Sequence, residues 1–354
     1  MNANENYLAL ASRLDSFPQG FPSTSSGVEI KLLAQLFTPD EAGLAASLSH
    51  FYTPLAECVT NAGISLNEAR GHVKNMAGKG LINIKRGDKG LQVRLLPFIV
   101  GFYENQVGRI DESFANIFEE YYQEANHDLL SIKPQFHRVI PINATINSKV
   151  EILPEDNVVE LLSGKRAWGV MDCICRTQKS LIGEGCDHPV KVCLILSDTP
   201  NVFDGLEQID ALDLDGALKV LDNAASAGLV HTVSNNKGDI SYVCNCCTCS
   251  CGILRGIAEA QIANVVARSA YVAQVSDDAC IGCGICEDVC QFDSIMIEDI
   301  SIIDPDSCVG CGVCARSCPE DAISLSMRPI EEILPIPDSF DGWLEERDKA
   351  RSNI

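Results

Sequence analysis

The chain lacks any long run of apolar residues. No segment reaches the roughly 20 uninterrupted apolar residues of a membrane-spanning helix, and Arg94 and Pro97 interrupt the best candidate, Leu91–Tyr103. The first residues also lack the basic start, apolar run and small-residue cleavage site of a secretory signal. These absences predict a cytoplasmic protein without membrane insertion.

Positive charge is scarce as well. The 354 residues include 27 Lys and Arg against 49 Asp and Glu, a formal net charge of −22, which disfavours general affinity for nucleic acid. There is no Walker sequence and no G-x-G-x-x-G after a strand, since Gly183-Glu-Gly185 lacks the third glycine. The sequence therefore indicates no nucleotide or flavin site.

Cysteine, in contrast, is abundant and unevenly distributed. All but one of the 18 cysteines follow Asp172. A disulfide scaffold is typical of short secreted chains, so metal ligation is the better interpretation here. The exception, Cys58, is predicted to be a buried apolar residue.

Residues 1–130 carry the pattern of helices followed by a hairpin. Ser65 and Glu68 form a capping box that opens a helix ending at about Gly78 or Gly80. Two alternating segments around Gly87-Asp88-Lys89-Gly90 predict a β-hairpin. Apolar spacing predicts further helices at Val28–Phe37, Pro39–Ser49, Leu55–Ala62 and Asn105–Ala125. The order of three helices and a hairpin resembles a winged helix-turn-helix.

A local basic region lies within this part of the acidic chain. Residues 65–95 have a net charge of +5, and their bases are Arg70, Lys74, Lys79, Lys85, Arg86, Lys89 and Arg94. One interpretation is contact of the Ser65 helix with the major groove of DNA. The alternatives are a protein contact or an intramolecular partner for the acidic C-terminal region.

Residues 133–268 are predicted to form a mixed α/β domain that is rich in cysteine. Strands are expected at Val139–Ile146 and Lys191–Leu196, and helices at Asp215–Ala227 and Ile253–Arg268. The candidate ligands of a further iron-sulfur cluster are Cys173, Cys175, Cys186, Cys193, Cys244, Cys246, Cys247, Cys249 and Cys251. The alternatives are a zinc site and unligated thiols. His188 is a secondary candidate ligand, and Arg176 is a candidate neighbour of the ligands.

A cysteine motif is repeated towards the C-terminus. It reads Cys280-Ile-Gly-Cys283-Gly-Ile-Cys286-Glu-Asp-Val-Cys290, and recurs as Cys308-Val-Gly-Cys311-Gly-Val-Cys314-Ala-Arg-Ser-Cys318. The two copies resemble the bacterial-type dicluster ferredoxin module. In that family the first three cysteines of a run hold one cluster and the fourth holds the other.

The resemblance implies two [4Fe-4S] clusters with interleaved ligands. One set is Cys280, Cys283, Cys286 and Cys318, and the other is Cys308, Cys311, Cys314 and Cys290. Gln291 departs from the family, in which proline commonly follows the fourth cysteine, whereas Pro319 keeps the pattern in the second copy. The backbone N–H that glutamine restores near Cys290 is expected to shift one reduction potential.

The sequence as a whole predicts an α+β multidomain protein. Its parts are a helical, winged-helix-like domain at 1–130, a cysteine-rich α/β domain at 133–268, a ferredoxin-type βαββαβ dicluster domain at 271–326 and an acidic tail at 327–354. Residues 271–354 contain 18 acids against 5 bases, a surface that suits a basic redox partner. The tail is expected to lie on a partner or on the body of the protein.

Three functions are compatible with these features. The first is an electron-transfer protein or subunit whose partner is an oxidoreductase such as a flavoprotein or metalloenzyme, with a homodimer or larger complex as its assembly. The second is a redox-responsive regulator that binds DNA. The third is an enzyme with substrate at an open coordination site of the middle cluster.

Overall fold

The chain folds into two compact units of mixed helix and sheet. A computed structural model describes residues 3–88, 90–125, 127–149, 152–262 and 264–353. The first unit contains Met1–Leu129, Leu181–Gly183 and Arg347–Ile354, and the second contains Leu130–Ser180 and Glu184–Glu346. No helix among the described residues has both the length and the low polarity that crossing a bilayer requires.

The first unit is mainly helical. Its helices are α1 (Ala3–Asp15), α2 (Val28–Leu36), α3 (Pro39–Ala45), α4 (Leu55–Ala62), α5 (Leu66–Gly78) and α6 (Glu112–Ala125), and α7 (His127–Ser131) follows at its boundary. The predicted capping box is present, because the Ser65 side chain accepts from the Glu68 amide and Glu68 bonds back to Ser65. The predicted helix at 105–125 begins only at Glu112, and a short 3₁₀ turn precedes it.

The hairpin after α5 forms a small antiparallel sheet. Its strands are β1 (Thr53–Pro54), β2 (Ile82–Gly87) and β3 (Gly90–Leu95), in the order β1-β3-β2. Gly87 pairs with Gly90, so the predicted hairpin is confirmed, while Lys89 in its loop lies outside the described residues. Cys58 is buried in α4 with 2% of its surface exposed, as predicted.

Residues from the far end of the chain complete the first unit. The guanidinium of Arg347 is fully buried and donates to the carbonyl oxygens of Pro18 (3.0 Å) and Leu129 (2.7 Å). Arg351 forms an ion pair with Asp15 at 2.8 Å. Residues more than 300 positions apart therefore share one core.

The second unit contains a six-stranded antiparallel sheet. Its strands are β4 (His137–Val139), β5 (Ala167–Asp172), β6 (Lys191–Ser197), β7 (Asp210–Leu212), β8 (Val230–Ser234) and β9 (Tyr242–Cys246), in the order β4-β8-β9-β6-β5-β7. The helices around it are α8 (Val158–Ser163), α9 (Ile174–Leu181), α10 (Leu214–Ser226) and α11 (Arg255–Ala260). Apolar residues of α8 and α10, such as Leu162 and Leu221, pack on the sheet.

Two sequence predictions for this unit are wrong. The strand predicted for 139–146 ends at Val139, because Pro141 cannot donate to a sheet and residues 143–145 form a 3₁₀ turn. The helix predicted for 253–268 covers only α11, which stops where Gln261 takes a left-handed φ of 54°. Ala267 then runs beside β4 and exchanges backbone hydrogen bonds with His137 and Val139.

The repeated cysteine motif forms a compact subregion of the second unit. Its elements, in chain order, are β10 (Tyr271–Val275), α12 (Ile285–Asp288), β11 (Ile295–Ile297), β12 (Ser301–Ile303), α13 (Val313–Ser317) and β13 (Ile323–Met327). β10 pairs with β13 and β11 with β12, both antiparallel. The core between them includes Cys286, Cys308 and Cys314.

The acidic tail lies on the protein itself. It contains α14 (Phe340–Arg351). Trp343 is 3% exposed, and its indole nitrogen donates to the carbonyl oxygen of Gln135 at 2.8 Å. The predicted contact of the tail with the body of the protein is therefore present, while a contact with a partner stays a prediction.

Candidate functional site

The repeated motif lines two separate cavities. Cys280, Cys283, Cys286 and Cys318 line one of them. Cys290, Cys308, Cys311 and Cys314 line the other. The walls are otherwise largely apolar, with Ile297 and Ile323 in the first and Phe292 and Leu325 in the second. Each cavity thus collects three cysteines of one run and one of the other, while ligation by them stays a prediction.

Backbone amides point at two sulfurs of the first cavity. The amide of Ser301 donates to Cys280 Sγ at 3.4 Å, and that of Ala322 donates to Cys318 Sγ at 3.3 Å. Burial raises the pKa of Cys311 to about 12 and raises that of Cys290. Thiols in such surroundings become thiolates when a cation binds, and the amides then stabilise their charge.

Two glycines let the cavity loops approach other backbone closely. Gly310 has a φ of 69°, and a Cβ at this position would lie 2.1 Å from the carbonyl oxygen of Tyr271. Gly282 has a φ of 63°, and its Cβ would lie 2.6 Å from the carbonyl oxygen of Asp299. Both positions therefore exclude side chains for two reasons, the backbone conformation and the lack of space.

Six of the nine upstream cysteines form a closed ring of thiols. They are Cys173, Cys175, Cys251, Cys246, Cys244 and Cys193, and each thiol lies near enough to the next to shift its pKa, as Cys193 does to that of Cys173. This set is called the six-cysteine ring below. Sheet pairing explains why these cysteines lie together. β5, β6 and β9 are neighbouring strands, and the last residues of β5 and β9 lie beside the first residues of β6. A tight turn, in which the Cys251 amide donates to the Cys247 carbonyl oxygen, returns the chain to the same place.

The thiols of the ring shift one another's pKa values strongly. Hydrogen bonds from Cys175 and Cys193 lower the pKa of Cys173. The thiols of Cys193 and Cys246, together with burial, raise the pKa of Cys244. Such neighbours cannot all ionise unless bound cations balance their charge.

Polar side chains beside the ring have unused hydrogen-bonding groups. Arg176 is 2% exposed, and its Nε and Nη1 are buried without a partner among the described residues. His137 lies near the Cys251 thiol, its Nε2 is likewise unpartnered, and burial lowers its pKa to about 4. Unpartnered buried donors are costly unless an anion accepts from them. The sulfur-rich donor set and these donors together suit an iron-sulfur centre, whose sulfurs carry negative charge.

The other three upstream cysteines lie with a histidine. The ligand atoms of Cys186, His188, Cys247 and Cys249 all lie within 4.8 Å of one another. These residues come from the loop between α9 and β6 and from the turn after β9. The structure thus separates the nine cysteines into two groups. From the sequence they were predicted as one set of candidate ligands.

Gln291 connects the ferredoxin-like subregion to the cysteines of the sheet. It directly follows Cys290. Its Oε1 accepts from the Thr248 amide at 2.7 Å, and its Nε2 donates to the carbonyl oxygens of Gly228 (2.6 Å) and Cys246 (3.5 Å). Sequence reasoning did not find this link, although glutamine in the place of the usual proline was the signal that marked the position.

Comparison with known proteins identifies the C-terminal repeat. The family described as "4Fe-4S binding domain" matches residues 273–296 and again residues 301–324. These two tandem domains indicate [4Fe-4S] clusters and an iron-sulfur electron-transfer function. Neither a curated protein nor a solved structure matches the chain.

Proposed function

We propose that the chain relays single electrons between the two ferredoxin-type sites, a further iron-sulfur centre in the six-cysteine ring and a partner oxidoreductase. The observation that carries this proposal is the bridge made by Gln291. Iron-sulfur clusters supply reversible one-electron oxidation and reduction when bound. The protein's part is to hold the cysteine groups at a fixed separation, and Gln291 does so with three hydrogen bonds.

The first cavity of the repeat supports contact with a partner. Cys283 is exposed, and Ile281 beside it is 65% exposed. Four exposed acidic residues lie close to Cys283 in the chain: Asp277, Asp278, Glu287 and Asp288. An apolar contact ringed by negative charge suits a basic face on the redox partner, because opposite charges speed encounter and orient it.

Replacing Gln291 with leucine tests the relay. The variant loses all three hydrogen bonds but keeps the cysteines, so iron content should stay at the wild-type level. We expect electron equilibration between the Cys290 site and the ring to slow by at least about tenfold. This is the lower end of the loss of activity that follows when contacts supporting metal ligands are removed. Rapid-freeze EPR after mixing with a low-potential reductant measures this rate.

A matched control for this experiment is Gln274→Leu. Gln274 is an exposed residue on β10 of the same subregion, so its loss should leave the rate unchanged. An unaltered rate in Gln291→Leu would exclude an electron relay that depends on this bridge. Absence of a third EPR signal in the wild-type protein would exclude an iron-sulfur centre in the six-cysteine ring.

Exposed bases on α5 favour DNA binding as a second candidate function. Arg70 and Lys74 are exposed on this helix, and Lys85 and Arg86 are exposed on β2. Lys79, in contrast, forms an ion pair with the buried Glu41 at 2.6 Å. A helix followed by a basic hairpin is the arrangement in which winged helices meet DNA.

The double variant Arg70→Gln/Lys74→Gln tests this second candidate. If both side chains contact phosphates, the slope of log affinity against log salt should become shallower by about 0.9 per contact. Anaerobic DNA titrations at several salt concentrations measure the slope. Lys31→Gln, on a different helix and paired with Glu120, is the control, and no binding by the wild-type protein at low salt would exclude this function.

A further inference from the structure

The group formed by Cys186, His188, Cys247 and Cys249 is distinct from the six-cysteine ring. Cys186 Sγ lies 4.0 Å from Cys247 Sγ, and Cys249 Sγ lies 3.7 Å from His188 Nδ1. The four residues come in two pairs, each separated by one residue, on two segments of the second unit. None of the four belongs to the ring.

The spacing of these atoms fits one metal ion. Zinc with sulfur at about 2.3 Å and nitrogen at about 2.0–2.1 Å places its tetrahedral ligand atoms about 3.5–3.8 Å apart. Two of the separations here, 3.7 and 4.0 Å, are close to those values, and all of them are below 4.8 Å. A cubane places each ligand sulfur on a different iron corner and therefore holds the sulfurs farther apart.

Neighbouring residues balance the charge of such a site. Three thiolates and a neutral imidazole around a divalent ion leave a net charge of −1. Arg176 donates through Nη2 to Cys247 Sγ at 3.4 Å and to the carbonyl oxygen of Asn245 at 2.9 Å. The Ser250 hydroxyl lies 3.4 Å from Cys186 Sγ. Hydrogen bonds of this kind orient ligands and stabilise their charge.

We propose that these four residues form a zinc site that fixes the loop between α9 and β6 to the turn after β9. Four protein ligands in a tetrahedral set are typical of structural zinc. The same turn carries Thr248, the partner of Gln291, and Cys251 of the ring. The ion therefore holds this turn in place, and this role requires no change in its oxidation state.

Metal analysis of the full chain, purified anaerobically, tests this site. The wild-type protein should contain about one zinc per chain, and His188→Ala/Cys249→Ser should contain at least about tenfold less with its iron unchanged. His188→Cys keeps four ligands and should retain the zinc, which guards against a general folding defect. His72→Ala, in the first unit, is the control.

The outcomes separate this proposal from the electron relay. Absence of zinc from the wild-type protein, or unchanged zinc in the double variant, would overturn the zinc site. Loss of about four irons in the double variant would overturn it in favour of a cubane on these residues. Cobalt substitution adds a readout, since the visible spectrum of a site with three sulfurs and one nitrogen should change in His188→Cys. Iron content and EPR report on the relay independently.

Discussion

Replacing Cys193 and Cys244 together with serine is expected to lower the iron content from about twelve to about eight atoms per chain. The two thiols are neighbours in the six-cysteine ring and lie on the paired strands β6 and β9. Their loss removes two ligands from one side of the proposed centre. Anaerobic iron and sulfide analysis with EPR measures the change, and the signals of the two ferredoxin-type sites should persist.

Cys58→Ala is the matched control for this experiment. Cys58 is also a free thiol, but it lies in the first unit, so its removal should leave the iron content at about twelve. A wild-type value of about eight would show that the ring holds no cluster. Retention of about twelve irons by the double serine variant would exclude Cys193 and Cys244 as necessary ligands.

Gly310→Ala is expected to remove the [4Fe-4S] cluster proposed for the second cavity, which is a loss of about four irons. The added Cβ would lie 2.1 Å from the Tyr271 carbonyl oxygen and 2.4 Å from Ser269 Oγ. The loop must then move away from β10, and Cys308, Cys311 and Cys314 move with it. EPR should show selective loss of one ferredoxin-type signal.

Gly284→Ala provides the comparison that isolates the steric effect. Gly284 has a φ of 85°, but nothing lies within 4 Å of its added Cβ. This variant bears only the strain of a left-handed alanine, about 1–2 kcal/mol, and should keep its iron. Equal iron loss in the two variants would show that backbone strain, and not the contact with Tyr271, decides cluster retention.

Features determined by neighbouring residues were predictable from the sequence. The capping box of Ser65 and Glu68, the bounds of α4 and the hairpin at 82–95 depend on local propensity and agree with the structure. The repeated cysteine motif identified the C-terminal domains for the same reason, because its spacing is itself the signal. The residues that determine these features lie within a few positions of one another in the sequence.

Features that depend on sheet pairing could not be predicted. The division of nine cysteines into the ring and a group with His188 follows from the order β9-β6-β5, which brings distant segments to one edge. The bonds of Gln291 to Gly228 and Thr248 span 63 and 43 residues. Apolar spacing at 253–268 suggested one helix, whereas the backbone bonds of Ala267 to β4 favour an extended chain.

The discontinuity of the first unit affects how the protein is made on the ribosome. Arg347 and Arg351 supply hydrogen bonds to residues near position 17, so the first unit stays incomplete until the intervening sequence has been translated. Synthesis of those roughly two hundred residues takes on the order of ten to forty seconds at typical rates. During this interval the carbonyl oxygens of Pro18 and Leu129 lack the hydrogen bonds that Arg347 later donates to them.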